Sequence, residues 1–141
     1  MTEAAFWKLF ATAQRQAGDA KTYENDGPGI LQDLLEQLPP EEIVSFDEIF
    51  NRKYFAAYRW DLWGAAYVIG GGCSDDGFDY VRGWLIAMGR STYDRVLADP
   101  EQIRDHLAEG DEPGCQAILS VASRAFGERT NDAPLPRETV R

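Results

Sequence analysis

The sequence is poor in the side chains that most often carry out chemistry. It has one histidine, His106, and two cysteines, Cys73 and Cys115. A single imidazole leaves little choice of general base for a nucleophilic mechanism. The N-terminus has no basic stretch followed by an apolar one, and no apolar run approaches the roughly 20 residues of a membrane span. We therefore predict a cytoplasmic protein with two free thiols and no membrane association.

Positive charge is also scarce, because 14 Lys and Arg residues stand against 24 Asp and Glu residues and give a net charge of -10. A surface this acidic repels phosphate backbones, so direct nucleic-acid binding is not expected. The segment from Glu24 to Glu48 contains no Lys or Arg at all. It is either a set of solvated helix faces or a docking face for a basic protein partner. Its acidic residues are Glu24, Asp26, Asp33, Glu36, Glu41, Glu42, Asp47 and Glu48.

What the sequence does have is helical periodicity, since apolar residues recur every three or four positions and strand alternation is missing. This pattern predicts an all-α fold, a single compact domain of about seven or eight helices over residues 1–127. The polar, aperiodic residues 128–141 are expected to form a flexible tail. Helices are predicted at 3–17, from Pro28, from Glu41, at 60–69, after Ser74, at 91–98, from Asp99-Pro100 to Gly110 with Asp99 as its cap, and at 114–126, and a loop at 19–27. The helix after Ser74 is expected to turn Phe78, Val81, Leu85 and Met88 inward.

The most unusual segment runs from Tyr58 to Gly89. Its first part, up to position 67, is dense in aromatic residues and contains one acid, Asp61. On a helix, Trp60, Gly64 and Tyr67 share a face, and the small residues at 64–66 allow a neighbouring helix to approach closely. One hypothesis is a core helix in which Asp61 caps the helix or pairs with an arginine or an indole N–H.

The other hypothesis for this segment is a ligand pocket. Trp60, Trp63 and Trp84 would form its walls, and Asp61 would be its polar anchor. Together with the charged residues of the following helix, the candidate ligand-binding residues are Trp60, Asp61, Trp63, Asp75, Asp76, Arg82 and Trp84.

The string Gly-Gly-Gly-Cys-Ser-Asp-Asp-Gly at 70–77 allows several interpretations. As a phosphate loop it is poor, because Asp75 and Asp76 repel phosphate and no lysine follows. As a nucleophile, Cys73 gains from the helix N-terminus, but the two aspartates raise its pKa again. The simplest interpretation is that Ser74 caps a helix whose first turn carries both aspartates.

A divalent cation on Asp75, Asp76 and Asp79 is a further possibility, because these carboxylates are neighbours on a helix. The spacing fits the aspartate-rich magnesium motif of isoprenoid synthases, but the second acidic motif and the larger helical bundle of that fold are missing. The structural alternative is that Asp79 pairs with Arg82 or Arg59.

Four stretches resemble a family of small bacterial proteins classed as a domain of unknown function. They are Ala-Ala-Phe-Trp-Lys-Leu at 4–9, Tyr-Arg-Trp-Asp-Leu-Trp-Gly-Ala-Ala-Tyr at 58–67, Gly-Gly-Cys-Ser-Asp-Asp-Gly-Phe-Asp-Tyr at 71–80 and Arg-Gly-Trp-Leu-Ile-Ala-Met-Gly at 82–89. The resemblance extends from Phe6 to about Phe126. It implies one fold with an important central segment, and it implies no reaction.

From these features we expect a small acidic bacterial protein that acts as a non-enzymatic protein- or ligand-binding module in regulation. No catalytic residue, metal site or cofactor is expected. The alternative is a hydrolase or metal-dependent enzyme that uses the region of Asp61, Cys73, Asp75 and Asp76.

Overall fold

A computed structural model describes residues 1–18, 20–107 and 114–136, except for the side chains of 20–25. Within these ranges the chain is helical and has no strand, so the predicted all-α fold is confirmed. The elements are α1 (Glu3–Ala17), α2 (Ala20–Glu36), α3 (Pro40–Ala56), α4 (Trp60–Gly70), α5 (Asp75–Ala87), α6 (Arg90–Ala98), the 3-10 helices η1 (Pro100–His106) and η2 (Ala117–Ser120), and α7 (Val121–Thr130). Because η2 leads directly into α7, the described residues form eight helical segments, as expected. None of these helices has the length and apolar character that crossing a bilayer requires.

The chain divides into two units. The first comprises Met1–Asn51 with Ser120–Arg141, and the second comprises Arg52–Leu119. The division of the chain into a domain over 1–127 and a tail over 128–141 stays a prediction. Within the predicted tail, residues 128–141, helix α7 continues to Thr130, and residues 137–141 lie outside the described residues.

The core of the first unit is aromatic. Phe6 and Phe10 lie one turn apart on α1 with their rings 5.1 Å apart. The ring of Phe46 from α3 packs 5.0 Å from Phe6 and 5.7 Å from Phe10. Helix α2 packs on both α1 and α7 and contributes the fully buried Leu31 and Leu35. Large apolar side chains at helical spacing thus build this core.

Helix α2 corrects one prediction. The expected loop over 19–27 is wrong for its described part, because the helix begins at Ala20 and Pro28 lies inside it. A proline in a helix costs about 3 kcal/mol. Full burial of a leucine side chain stabilises the fold by about 1.5–3 kcal/mol. Burial of Leu31 and Leu35 therefore outweighs the local turn signals, and Pro28 is itself buried.

In the second unit, α4 packs on α5 and η1, and α6 packs on the same two elements. Helix α5 is buried almost all round from Val81 to Ala87. Of its predicted inner face, Phe78, Val81 and Leu85 are buried, whereas Met88 is half-buried. The Ser74 cap is confirmed, since its Oγ accepts the Gly77 N–H at 3.1 Å.

The segment after Asp99 also differs from its prediction. The expected α-helix is the 3-10 helix η1, which ends at His106, and the predicted end at Gly110 lies outside the described residues. The Asp99 side chain does not cap the helix and instead accepts a long bond of 3.5 Å from Gln102 Nε2. Only Ile103 of η1 is buried. A short segment with one apolar anchor suits the tighter 3-10 form that connectors often take.

Candidate functional site

The first turn of α4 holds an ion pair. Arg59 Nε donates to Asp61 Oδ1 at 3.0 Å, and Arg59 Nη2 donates to the other oxygen of the same carboxylate. Asp61 also accepts the backbone N–H of Leu62 at 2.8 Å. Arg59 is fixed in turn, because its Nη1 donates to the Leu97 carbonyl at 2.8 Å. The hydrogen bonds from Arg59, above all, lower the pKa of Asp61, so this carboxyl stays ionised at neutral pH.

A cleft of about 690 Å³ opens beside this ion pair, between α4 and the segment that starts at Asp99. It is lined by Asp61, Gly64, Ala65, Val68, Ile69, Asp99, Pro100, Glu101, Arg104 and Asp105. Beyond Asp61, the α4 side is apolar, whereas the side that starts at Asp99 is mostly charged. Four carboxylates face one guanidinium in this lining, so the cleft is acidic. Asp99, Glu101 and Asp105 form no ion pair with any residue that the structure describes.

Gly64 forms part of the cleft wall. A Cβ atom at Gly64 would meet no atom within 4 Å. The sequence predicts that the small residues at 64–66 allow a neighbouring helix to approach closely. No such approach occurs at Gly64, whereas Ala66 is buried and a close approach occurs at Gly83 of α5. There a Cβ would lie 2.7 Å from Ile118 Cγ2 and 3.0 Å from Leu119 Cδ2. The gap at Gly64 leaves the wall of the cleft open.

An aromatic stack lies on the same helix. Trp60 is 81% exposed and stacks on Trp63 with ring centroids 5.5 Å apart and planes 6° apart. Trp63 is half-buried, stacks on the buried Phe78 at 4.9 Å and donates its indole N–H to the Cys73 carbonyl at 2.9 Å. The exposed indole of Trp60 thus rests on a ring whose position is fixed from two sides.

The exposed large hydrophobic side chains of the described residues all lie within one short segment, 55–68. They are Phe55, Tyr58, Trp60, Tyr67 and Val68, and we call them the aromatic face. Val68 also lines the cleft, and Trp60 precedes Asp61 in the chain, so the aromatic face and the cleft share helix α4.

Arg82, predicted as a binding residue, is 3% exposed. Its guanidinium donates to the Tyr54 carbonyl at 3.1 Å, to the Tyr54 hydroxyl at 3.0 Å and to the Asp79 carboxylate. Of the two partners predicted for Asp79, Arg82 and Arg59, the structure therefore shows Arg82. It also lies 3.8 Å from the centroid of the Tyr54 ring and 4.9 Å from those of Tyr58 and Phe78. Burial, helped by Asp79, raises the pKa of Tyr54 to about 12. Arg82 thus organises the packing inside the unit.

The remaining candidates lie elsewhere. Trp84 is buried on α5, and Asp75 and Asp76 are exposed in the first turn of the same helix. Burial raises the pKa of the Cys73 thiol, so the thiol stays protonated at neutral pH. Among the described residues, no three His, Cys, Asp or Glu side chains come together as metal ligands would.

Of the seven candidate residues, the structure brings only some together. Trp60 and Trp63 stack on each other, and Asp61 alone reaches the cleft. Sequence reasoning missed the opposite wall of the cleft, which is formed by Asp99, Glu101, Arg104 and Asp105. The signal in the sequence is the acid-rich string Asp-Pro-Glu at 99–101, which also predicts a helix start.

The acidic segment from Glu24 to Glu48 is divided between α2 and α3. Its exposed acids are Asp26 and Asp33, seven positions apart on α2, and Glu41 and Glu48, seven apart on α3. Three others have structural partners. Glu36 accepts a bond from Gln32 Nε2 at 3.4 Å, Glu42 lies 3.7 Å from the Met1 ammonium, and the buried Asp47 accepts a bond from Asn51 at 3.2 Å. The Glu24 side chain lies outside the described residues.

Comparison with known protein families places this chain in a described family. A family model described as a protein of unknown function, DUF4240, matches residues 1–128. No curated protein and no solved structure matches the chain.

Proposed function

Since the chain belongs to the DUF4240 family, whose function is unknown, we propose from its own geometry that it is a non-enzymatic protein-binding module that docks its partner on the aromatic face. The observation that carries this proposal is the confinement of all exposed large hydrophobic side chains of the described residues to 55–68. Contiguous apolar patches on a soluble domain mark interaction sites, whereas single exposed apolar residues are ordinary.

The residue types of the aromatic face support protein binding. Trp and Tyr are enriched among the few residues that supply most of the energy of protein interfaces. Trp60 is already held against Trp63, so binding would cost it little conformational entropy. An exposed indole that is ordered before the partner arrives is suited to be an anchor of such an interface.

The chemistry of the neighbouring groups supports binding over catalysis. Asp61 is an ionised carboxylate occupied by Arg59, which does not suit a general acid. The Cys73 thiol is protonated at neutral pH, whereas a nucleophilic cysteine needs a thiolate. Both groups serve a stable scaffold around the aromatic face.

The exposed acids of α2 and α3 form a second element of the proposal. Asp26, Asp33, Glu41 and Glu48 attract a basic partner over a distance of about a Debye length, roughly 8–10 Å at physiological salt. Such charges raise the rate of encounter more than the final affinity. A basic protein partner therefore fits these exposed acids of α2 and α3 as well as the overall charge.

The proposal is tested with the full chain as bait in an extract of its host. Proteins retained by the wild-type chain but lost by a Trp60→Ala/Tyr67→Ala variant are candidate partners, and the recovered partner is then purified and titrated. We expect the dissociation constant to rise about tenfold or more for the variant, since truncation of a central Trp typically costs about 2 kcal/mol or more.

The matched control is Arg124→Ala, an exposed substitution on α7 that should leave binding unchanged. Because Trp60 and Tyr67 are exposed, the double variant should keep its circular dichroism spectrum and its urea midpoint. The proposal fails if wild type, double variant and control retain the same proteins with the same affinity.

A further inference from the structure

The charge and the shape of the cleft beside the aromatic face specify which kind of partner side chain can bind in it. We propose that it receives a long cationic side chain, lysine or arginine, from the protein segment that docks on the aromatic face. This inference rests on the proposed function, and it goes further by naming the chemistry of the partner. Gly64 and the carboxylates of η1 are then the residues that determine specificity.

Charge selects the cationic head group. The lining holds four carboxylates and one guanidinium. The Asp61 charge is already matched by Arg59, so the free attraction comes from the opposite wall, at Asp99, Glu101 and Asp105. These three are exposed and form no ion pair with any described residue. A cation entering the cleft meets this wall, whereas an anionic side chain is repelled by it.

Shape selects a long side chain. Apart from Asp61, whose carboxylate is paired with Arg59, the α4 wall consists of Gly64, Ala65, Val68 and Ile69, which offer an apolar surface. Lysine and arginine lay their methylene stems along such surfaces and keep the charged head in a polar region. The same cleft offers an apolar wall for the stem and an acidic wall for the head.

Gly64 gives an independent argument. A glycine inside a helix costs about 0.5–1 kcal/mol relative to alanine. At Gly83 the close contact with Ile118 and Leu119 explains that cost, but at Gly64 an added Cβ would meet nothing within 4 Å. No internal contact therefore requires a glycine at position 64. Because Gly64 has no side chain, it leaves space at the cleft wall where a bound side chain would lie.

The other occupants are weaker. A second copy of this chain would bring its own net charge of -10 to an acidic cleft, so self-association there is opposed by charge. A free polyamine would satisfy the carboxylates but would leave Trp60 and Tyr67 without a contact. A protein segment uses both the aromatic face and the cleft, and it is the occupant to which we commit.

The probe is an array of short synthetic peptides that share one scaffold of leucine, tryptophan and serine and carry Lys, Arg, Gln or Glu at the central position. We expect the full chain to bind the Lys and Arg peptides about tenfold or more tightly than the Gln and Glu peptides, and the preference to shrink as salt is added. Equal binding of all four peptides would overturn the inference. So would competition by spermidine at the same concentration as the Lys peptide, because the free cation would then be the occupant.

The decisive variants are Gly64→Leu and its matched control Gly70→Leu. Both glycines belong to α4 and both have open space where a Cβ would be, but only Gly64 lines the cleft. We expect Gly64→Leu to weaken binding of the Lys peptide about tenfold while its urea midpoint stays at or above that of wild type, and Gly70→Leu to bind as wild type does. If Gly64→Leu binds the Lys peptide unchanged, the cleft is not the site.

The two proposals can fail separately. If the natural partner needs Trp60 and Tyr67 but binds Gly64→Leu as tightly as wild type, the protein-binding function is supported and the cationic occupant is refuted. If the Trp60→Ala/Tyr67→Ala variant retains every protein that the wild type retains, the proposed function itself falls.

Discussion

Arg82 shows at the scale of one residue why a predicted binding residue is a structural one. Its guanidinium is buried among the Tyr54, Tyr58 and Phe78 rings and is neutralised by Asp79. Its Nε is also buried without a hydrogen-bond partner, so part of the cost of burying this cation is not recovered. The sequence predicts either Arg82, three residues after Asp79, or Arg59 as the partner of this carboxylate. Spacing carries no information on the depth at which the pair lies, so it could not distinguish a pocket residue from a packed one.

The Asp79–Arg82 pair predicts a non-additive mutant cycle. Asp79→Asn should destabilise the protein by about 1.5–3 kcal/mol, because it removes the charged hydrogen-bond partner of a buried guanidinium. Arg82→Met should cost less, about 1–2 kcal/mol, because Asp79 is 38% exposed and can turn to water. The double variant should lose less stability than the sum of the losses of the two single variants, as measured by urea unfolding. Simple additivity would show that the pair is not coupled.

Tyr54 predicts a loss of stability at alkaline pH. Its pKa is raised from 10.0 to about 12, chiefly by burial. Above pH 10 the unfolded chain releases this proton while the folded chain keeps it, so the free energy of unfolding must fall as the pH rises from 10 towards 12. Tyr54→Phe should flatten the decline, measured as the slope of the urea midpoint against pH. A slope that is the same in wild type and variant would contradict this assignment.

At the scale of helices and turns, two glycines that look alike in sequence have opposite roles. Gly64 and Gly83 both lie inside helices, but only Gly83 is in close contact, with the Cys115–Leu119 segment. Gly83→Ala should therefore destabilise the protein by about 1–3 kcal/mol through overpacking. Gly64→Ala should stabilise it by about 0.5–1 kcal/mol. Thermal or urea unfolding of the two variants side by side measures both signs, and a stabilising Gly83→Ala would refute the packing described here.

The helices also show which parts of the structure the sequence could predict. The bounds of α1 agree with the prediction, and α4 extends only one residue beyond it, because apolar periodicity and turn signals are local. Pro28 inside α2 could not be predicted, since its cost is offset by tertiary burial against α1 and against α7, which lies far along the chain. The cleft was missed for the same reason: its two walls are brought together by tertiary packing, and η1 has no periodic signature of its own.

At the scale of the whole molecule, the dominant property is charge. The net charge is -10, and the described residues hold few ion pairs, of which Arg59–Asp61 and Arg90–Asp94 are largely exposed. Exposed pairs of this kind contribute about 0–1 kcal/mol each. Salt screens these attractions, but it also screens the repulsion among the excess carboxylates, which are more numerous. Repulsion should therefore be the larger of the two effects at neutral pH.

Moderate salt should accordingly raise the free energy of unfolding, by an amount below about 1 kcal/mol that reflects the weak energies of exposed charges. The measurement is urea unfolding at low and at moderate sodium chloride concentration. Glu48→Lys, an exposed substitution within the acidic stretch of α3, lowers the excess charge and should reduce the gain. If salt lowers the stability of the wild-type chain instead, the few ion pairs contribute more than the excess of carboxylates costs. The acidic surface would then be better balanced within the fold and less available to attract a basic partner.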